Sequence, residues 1–558
     1  HLYWYTMTGA AKRDYPASIG EQSPWYKAYP TVEDYFERLG HLLADGEVVA
    51  PLLMVHPIES IWGRAGRYDN QMSFAPMLDK AFGDLTAELL GEHLDFEFGN
   101  ETLMAEHGRV EDGFFYVGKA AYREVLIPAV ETLRGSTLAL LETFAQAGGK
   151  VSYLGSIPRY CSGRLDTEGR NIRAYEKFAP WNLDAAAKRL RPISVRDESG
   201  ECKSILARVS RHADNKISVF LVNLGCVPTA DDVMLAPWLD ERKLTVENAQ
   251  IHWAEKPGMV VAELDLLSGI FTAQDAYYEN GEYVFSASFP TRSSRLFVLA
   301  APGALDARPA ESPVSAVPLN SELIEVQYSE PNVLVLDHAR LHADGEDMGD
   351  GYVLALDDLL RQKLGGTPRG GAMLQPWKQN TDPDTPEATV ELTYEFDCEA
   401  CPQDILELVL EDARKLEISC NGIPVSHHSE RYWIDPALRC VALPASLVRC
   451  GKNEITLRFK FGLASHGMEA IYLRGDFGVR PDATLTAPEK RLNIGSVTTQ
   501  RMPYYSGNLE YELRFELNAP LRVHCHVPAW AGTHLEAAFD DGAWLPRLGE
   551  PWDFASNT

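Results

Sequence analysis

The first thirty residues hold the densest set of side chains able to handle a polyhydroxylated ligand. Asp14 and Glu21 share one polar loop with Lys12, Arg13 and Gln22, and Trp25 follows closely. Cleavage of a glycosidic bond needs two carboxyl groups, one to protonate the leaving oxygen and one to activate water or attack carbon. Hydrogen-bonding groups hold the hydroxyls, and a flat indole can cover an apolar sugar face. Lys12 and Arg13 could bond hydroxyls or shift the pKa of a neighbouring carboxylate. The plainer reading of the same residues is a solvated ion cluster, with Pro24-Trp25 capping the helix that follows. Spacing alone leaves both open.

These residues need elements to position them. His1-Leu-Tyr-Trp-Tyr-Thr-Met-Thr-Gly9 reads as a buried strand, with its core at Leu2–Thr6. Thr31-Val-Glu-Asp34 resembles a capping box, and Tyr35, Phe36, Leu39, Leu42 and Leu43 then fall on one helical face, which predicts a helix over Thr31–Asp45. Strand, polar loop and helix make one βα unit, and in a (β/α) barrel the loop after the strand carries the active site. Residues 1–46 are therefore expected to end a barrel, with the catalytic acid and base on strands preceding His1.

Downstream, apolar runs at Val48–His56, Leu94–Phe98, Tyr122–Ile127 and Lys150–Leu154 alternate with helical patterns near Met77–Leu90 and Ser136–Gln146. Strands apolar on both faces belong to parallel sheets, so residues 47–165 are expected to form a doubly wound, flavodoxin/amidotransferase-like α/β domain. Amidotransferase chemistry needs a Cys nucleophile on a strand-to-helix turn. After Ile127 the chain reads Pro128-Ala-Val-Glu131, and Cys161 comes only past the next strand, so that chemistry is excluded. His56 reads as a structural histidine at a strand end. Short strands separated by turns then predict an all-β domain over 166–303 with a short helical lead-in, a β-sandwich over 304–480 and the start of a further β domain over 481–558. The fold class is multidomain α/β plus all-β.

Lys plus Arg number 52 and Asp plus Glu 80, a net charge of −28. Binding to nucleic acid rests on cationic contacts, so this balance argues against it and for a neutral ligand. No run of about 18 apolar residues marks a membrane helix. The nine cysteines include one close pair, Cys398-Glu-Ala-Cys401. A zinc site would need a second pair or nearby His ligands, so the cysteines read as inert thiols and point to the cytoplasm. Trp377 and Trp433 lie in apparent loops, where they could stack on sugars or pack in a core. Asp337 and Asp476 are calcium candidates, but calcium takes six or more oxygens and no such cluster stands in the sequence. No cofactor is expected, calcium aside.

The runs Gly9-Ala-Ala-Lys12-Arg-Asp-Tyr-Pro16, Gln22-Ser-Pro-Trp25, Asp34-Tyr-Phe-Glu-Arg38 and Val55-His-Pro-Ile58-Glu-Ser60 resemble the α-L-rhamnosidase-like glycoside hydrolases of family 106. Ile471-Tyr-Leu-Arg-Gly-Asp-Phe-Gly478 and Pro503-Tyr-Tyr-Ser-Gly507 resemble the sugar-binding β-sandwich of the same proteins. The resemblance implies a barrel, then a domain similar to the trimerisation domain of family 42 β-galactosidases, then β domains including a galactose-binding-like jelly roll. It implies hydrolysis of a terminal α-L-rhamnoside by carboxylate acid/base catalysis on an oligo- or polysaccharide, and it allows a homo-oligomer. Lys12, Arg13, Asp14, Glu21, Gln22 and Trp25 are then the substrate-contact candidates. A non-catalytic carbohydrate-binding or assembly module and a β-galactosidase-like hydrolase are the alternatives.

Overall fold

The computed structural model describes residues 7–9, 20–63, 74–229, 244–310, 323–369, 387–517, 522–527, 530, 532–549 and 552–556. The chain forms two compact units, one of His1–Pro30, Ser315–Trp544 and Phe554–Thr558, the other of Thr31–Val314 and Leu545–Asp553. Strands dominate both. Among the described residues no helix is long and apolar enough to cross a membrane.

The second unit contains the expected α/β layer. Its strands Leu52–Val55, Phe96–Gly99, Glu124–Ile127, Lys150–Tyr153 and Ala179–Pro180 pair only in parallel. Numbered along the chain, their spatial order is 2-1-3-4-5, the flavodoxin-like doubly wound order. Alternate residues of each strand face opposite helical layers. Leu53, Val55, Val125, Ile127 and Val151 pack with Leu141 and Phe144 on one side. Leu52, Met54 and Leu126 pack with Leu85, Leu89, Ala186 and Leu190 on the other. The fifth strand lies past residue 165.

The rest of this unit is a β-sandwich. A seven-stranded sheet that includes Ile205–Arg211, Ile217–Asn223, Val260–Leu264 and Ser294–Ala300 faces a five-stranded sheet that includes Ile193–Asp197, Val246–Ala254 and Glu282–Phe289. Val219, Leu221, Ile251, Trp253, Phe285 and Phe297 share the core between them.

Here the barrel expectation is corrected. No barrel is present among the described residues; Leu2–Thr6 lies outside them. The predicted helix exists as Tyr29–Asp45, but its apolar face meets neither a barrel strand nor the α/β layer. Tyr35, Leu39, Leu42 and Leu43 lie on Phe220, Leu264, Leu266, Phe271 and Leu296 of the seven-stranded sheet. Phe36, grouped with that face by sequence, is 61 % exposed and meets Tyr35 edge-on. Glu47 and Val48, assigned from sequence to the parallel layer, instead extend the same antiparallel sheet by pairing with Arg211 and Ser210.

The first unit is built on a second β-sandwich. One sheet has four strands, in the order Asn332–Leu336, Ile471–Gly475, Leu406–Leu410, Arg439–Leu443. The other is larger and centres on the long pair Glu387–Cys398 and Gly451–Gly462. Leu334, Leu408, Leu473, Leu392, Tyr394 and Leu457 belong to one core cluster drawn from both sheets. Strands Arg491–Leu492 and Leu509–Glu512 flank Ile324–Tyr328 in a separate three-stranded sheet.

Candidate functional site

The four-stranded sheet of the second sandwich has an outer face that alternation alone defines. In Ile471-Tyr-Leu-Arg, Ile471 and Leu473 enter the core, so Tyr472 and Arg474 point outward. In Leu406-Glu-Leu-Val-Leu410, Leu406, Leu408 and Leu410 enter the core, which leaves Glu407 and Val409 outside. The register sets Val333, Arg474, Glu407 and Ala442 in one cross-strand row and Val335, Tyr472, Val409 and Cys440 in the next.

Trp433 lies on this face. The Arg474 guanidinium sits 4.8 Å from the centre of the indole, and the Tyr472 ring meets it edge-on at 5.7 Å. Arg474 is 6 % exposed. Its Nη1 donates to Glu407 at 2.7 Å and its Nη2 to Glu330 at 2.8 Å. Arg431 reaches the other oxygen of Glu407 at 2.6 Å. The loop carrying Trp433 is closed by its own backbone: Trp433 N–H donates to Leu438 O, and Leu438 N–H to Asp435 O. Asp435 is buried, and its side chain accepts from Ala437 N–H at 2.8 Å.

The flanks of the opening loop reach this region. Met7, Trp433, Ile434 and Tyr472 all pack against the buried cluster of Val409, Leu438 and Cys440. Gly9 N–H donates to Glu411 at 2.6 Å, and Gln22 Nε2 donates to the second oxygen of Asp435 at 3.2 Å. Gly9 has φ +52°, and a Cβ there would approach His466 O at 3.4 Å, so glycine suits the position. Lys12, Arg13 and Asp14 lie outside the described residues, as does Trp377. Glu21 is exposed. Trp25 is half-buried, packs its ring 6.0 Å from Tyr29, and its carbonyl accepts from Ala28 N–H in the short turn that leads into the helix. Of the six sequence candidates, only Gln22 has a described bond into the face.

Chemically, the face offers an aromatic surface, a fixed guanidinium and three carboxylates, each already engaged by a guanidinium or an amide. That set suits the orientation of hydroxyls. Sequence reasoning missed Glu407, Glu330 and Asp435. Glu407 carried a signal, since it is the charged outward residue in an otherwise apolar five-residue strand.

A second polar group lies at the C-terminal ends of the parallel strands, where ligands bind in doubly wound folds. Glu59 pairs with Arg134 at 2.5 Å. Glu101 is buried and accepts from Arg134 N–H at 2.8 Å. Burial raises the Glu101 pKa above the usual carboxylate range, against the pull of the Thr137 hydroxyl and the Arg134 N–H. The Ser60 hydroxyl accepts from Glu131 and Thr132 N–H. His56 packs edge-on to Phe82 and Phe98, and burial lowers its pKa. These contacts tie the loops of the layer to one another. Among the described residues no three His, Cys, Asp or Glu side chains are grouped to hold a metal, and Asp337 pairs instead with His338 at 2.8 Å.

No protein-family model matches the chain. No curated protein matches it either. Among solved structures, the rhamnosidase from Novosphingobium sp. PP1Y is similar with 14% identity and a TM-score of 0.37, over 80% of this chain and 38% of that one. The α-L-fucosidase isoenzyme 2 from Paenibacillus thiaminolyticus is 10% identical at a TM-score of 0.29, over 50% of this chain and 52% of that one. The β-galactosidase from Bacillus circulans sp. alkalophilus is 10% identical at 0.31, over 50% and 46%. The chain spans well under two thirds of each. At TM-scores this low such likenesses carry no weight for fold or chemistry, and the functional reading rests on the residues themselves.

Proposed function

We propose that this chain is the accessory portion of a carbohydrate-active protein of the rhamnosidase-like glycoside hydrolase type, and that the outer face around Trp433 and Arg474 binds a neutral oligo- or polysaccharide. The observation that carries the reading is the Arg474 guanidinium, held between Glu407 and Glu330 and stacked on Trp433. A sugar presents hydroxyls to charged partners and an apolar C–H face to an indole. Fixing those partners before binding lowers the ordering cost of association. The motif that resembles a sugar-binding sandwich supplies Tyr472 and Arg474 themselves. The net charge of −28 accords with a neutral ligand.

Binding is tested by isothermal titration of the intact chain with rhamnose-, fucose- and galactose-terminated oligosaccharides, and hydrolysis with the matching aryl glycosides. Saturable binding that Trp433→Ala weakens about tenfold, as expected for the loss of a stacking contact of ~1–1.5 kcal/mol, supports the reading. Binding unchanged in Trp433→Ala, or none to any of these sugars, overturns the site.

A further inference from the structure

The pair Cys398-Glu-Ala-Cys401 has a third thiol beside it that the linear sequence does not reveal. Strand Glu387–Cys398 pairs antiparallel with Gly451–Gly462, and the register sets Cys398 opposite Gly451. Cys450 therefore arrives at the same end of the sheet from the preceding turn. Cys401 follows Cys398 by only three residues in the turn that leaves this same end of the sheet, so the register brings Cys398, Cys401 and Cys450 into one neighbourhood. All three are free cysteines; Cys398 is buried, Cys401 half-buried and Cys450 exposed.

Both turns that carry these thiols are fixed. Asn453, fully buried, accepts from Arg449 N–H at 2.9 Å and donates to Arg449 O and Gly451 O at 2.7 and 2.9 Å. This holds the chain on both sides of Cys450. On the other turn, Glu399 N–H donates to Leu485 O at 2.8 Å and the Cys398 thiol to Ala400 O at 3.3 Å. A thiol cluster held from two sides is a different object from scattered core cysteines.

We propose that Cys401 and Cys450 are a redox-active dithiol that closes to a disulfide when the protein meets a small-molecule disulfide, with Cys398 as a reserve thiol behind them. The exposed Cys450 thiolate attacks the disulfide RSSR. A Cys450–SR bond forms, the S–S bond of the oxidant breaks, and RS⁻ leaves to take up a proton. The Cys401 thiolate, its proton passed to water, then attacks the Cys450 sulfur, forms the Cys401–Cys450 bond and expels the second RS⁻. Two protein thiols are oxidised and one RSSR is reduced to two RSH. Burial and the neighbouring thiols push Cys398 up to about 12, and hydrogen bonding to Cys450, with burial, raises Cys401. The bond would tie the ends of a segment that contains Glu407, Glu411, Trp433 and Asp435, so oxidation would staple the Trp433 loop and two of the four strands of the proposed binding face. The proposal itself does not depend on what that face binds.

The test uses the intact chain equilibrated in glutathione buffers from fully reduced to fully oxidised, with thiol titration and peptide mapping by mass spectrometry. The expected result is loss of two of the nine thiols, with Cys401 and Cys450 in one cross-linked peptide pair. Cys398→Ser should keep that cross-link, and Cys450→Ser should abolish it. A glutathione adduct that persists on Cys450 beside a free Cys401 would overturn the proposal. So would a cross-link mapped to other cysteines, or full retention of nine thiols in the oxidised buffer.

Discussion

The two β-sandwiches share an architecture and differ in what one outer face carries. In the first, the cross-strand row Phe220, Leu296, Leu264, Phe271 is apolar throughout, and the helix Tyr29–Asp45 covers it with Leu39, Leu42 and Leu43. In the second, the corresponding row Val333, Arg474, Glu407, Ala442 has an ion pair at its centre. No packing rule calls for that pair. Isolated ion pairs add little to stability, and apolar residues of the same size would serve the fold as well or better. An apolar outer face is a demand for cover, and the first sandwich meets it with a helix. A face with a fixed guanidinium, three carboxylates and an indole keeps hydrogen-bonding groups where the fold does not need them, which is why the second is read as functional.

The first and largest effect should come from breaking the covered face. Leu296 is fully buried beneath the helix. Leu296→Ala removes buried methyl groups and leaves a cavity, and should cost about 2–5 kcal/mol, read as a lower urea midpoint. Sugar binding should survive in whatever fraction remains folded. A neutral substitution would mean that the helix does not stabilise this sheet.

Acid should also act on the first sandwich. Glu201 is pulled down to about 2: burial alone would raise it, but hydrogen bonds from His93, Arg196 and Ser194 and the charge of Arg191 outweigh that. Its folded pKa lies below the unfolded value of 4.5, so its contribution is complete above that value. It is lost as pH falls through 4.5 towards 2. The full contribution is about 2–3 kcal/mol. Glu201→Gln should therefore lower the urea midpoint near neutrality and approach wild type at about pH 2–3. A wild type to variant gap that is constant with pH would show that the carboxylate charge is not the source of this stabilisation.

Arg474→Lys sharpens the other side of the comparison. Lysine keeps the positive charge but cannot bridge two carboxylates and stack flat on an indole at once. Sugar affinity should fall roughly tenfold or more, equivalent to about 1.5–3 kcal/mol for a charge-assisted bond. Stability should change less, because Glu407 retains Arg431 and Glu330 is half exposed.

Much of this architecture was legible in the sequence, and the exceptions have physical causes. Parallel strands such as Leu52–Val55 and Glu124–Ile127 are buried on both faces, so unbroken apolar runs mark them. The helix Tyr29–Asp45 was legible from its periodicity, but a periodic face says only that it is covered, not by what. The same apolar stripe therefore fits the last helix of a barrel and a helix laid on an antiparallel sheet equally well. Trp433 stood in the sequence as a residue that could stack on a sugar or pack in a core, and the Ile471–Gly478 motif resembled a sugar-binding sandwich, but Gln22 was a candidate of the opening loop and nothing in the sequence joined it to this face. Glu407, Glu330 and Asp435 were not, because their partners are distant in sequence: Glu407 meets Arg474 across a strand pair, and Asp435 meets Gln22 across most of the chain. The same is true of Cys450, which joins Cys398 and Cys401 only through the register of one long antiparallel strand pair whose connection runs through the other sheet.

The smallest expected effect concerns the opening segment. Gln22 donates one hydrogen bond to Asp435 at 3.2 Å, and Asp435 keeps its bond from Ala437 N–H without it. If the segment merely lies against the sandwich, Gln22→Ala should cost no more than about 0.5–1.5 kcal/mol in stability and leave sugar affinity alone. If it forms one wall of the binding face, affinity should fall about two- to fivefold while the urea midpoint barely moves, since releasing the contact loosens a rim without unpacking the core. The second outcome is expected, because the bond from Gln22 ends on the loop that carries Trp433. Titration of Gln22→Ala beside Trp433→Ala and the double variant settles it. A double variant that loses no more affinity than Trp433→Ala alone would place both residues on one coupled surface. Strict additivity would show that the two residues contribute independently, and an unchanged affinity in Gln22→Ala would confine the binding face to the sandwich itself.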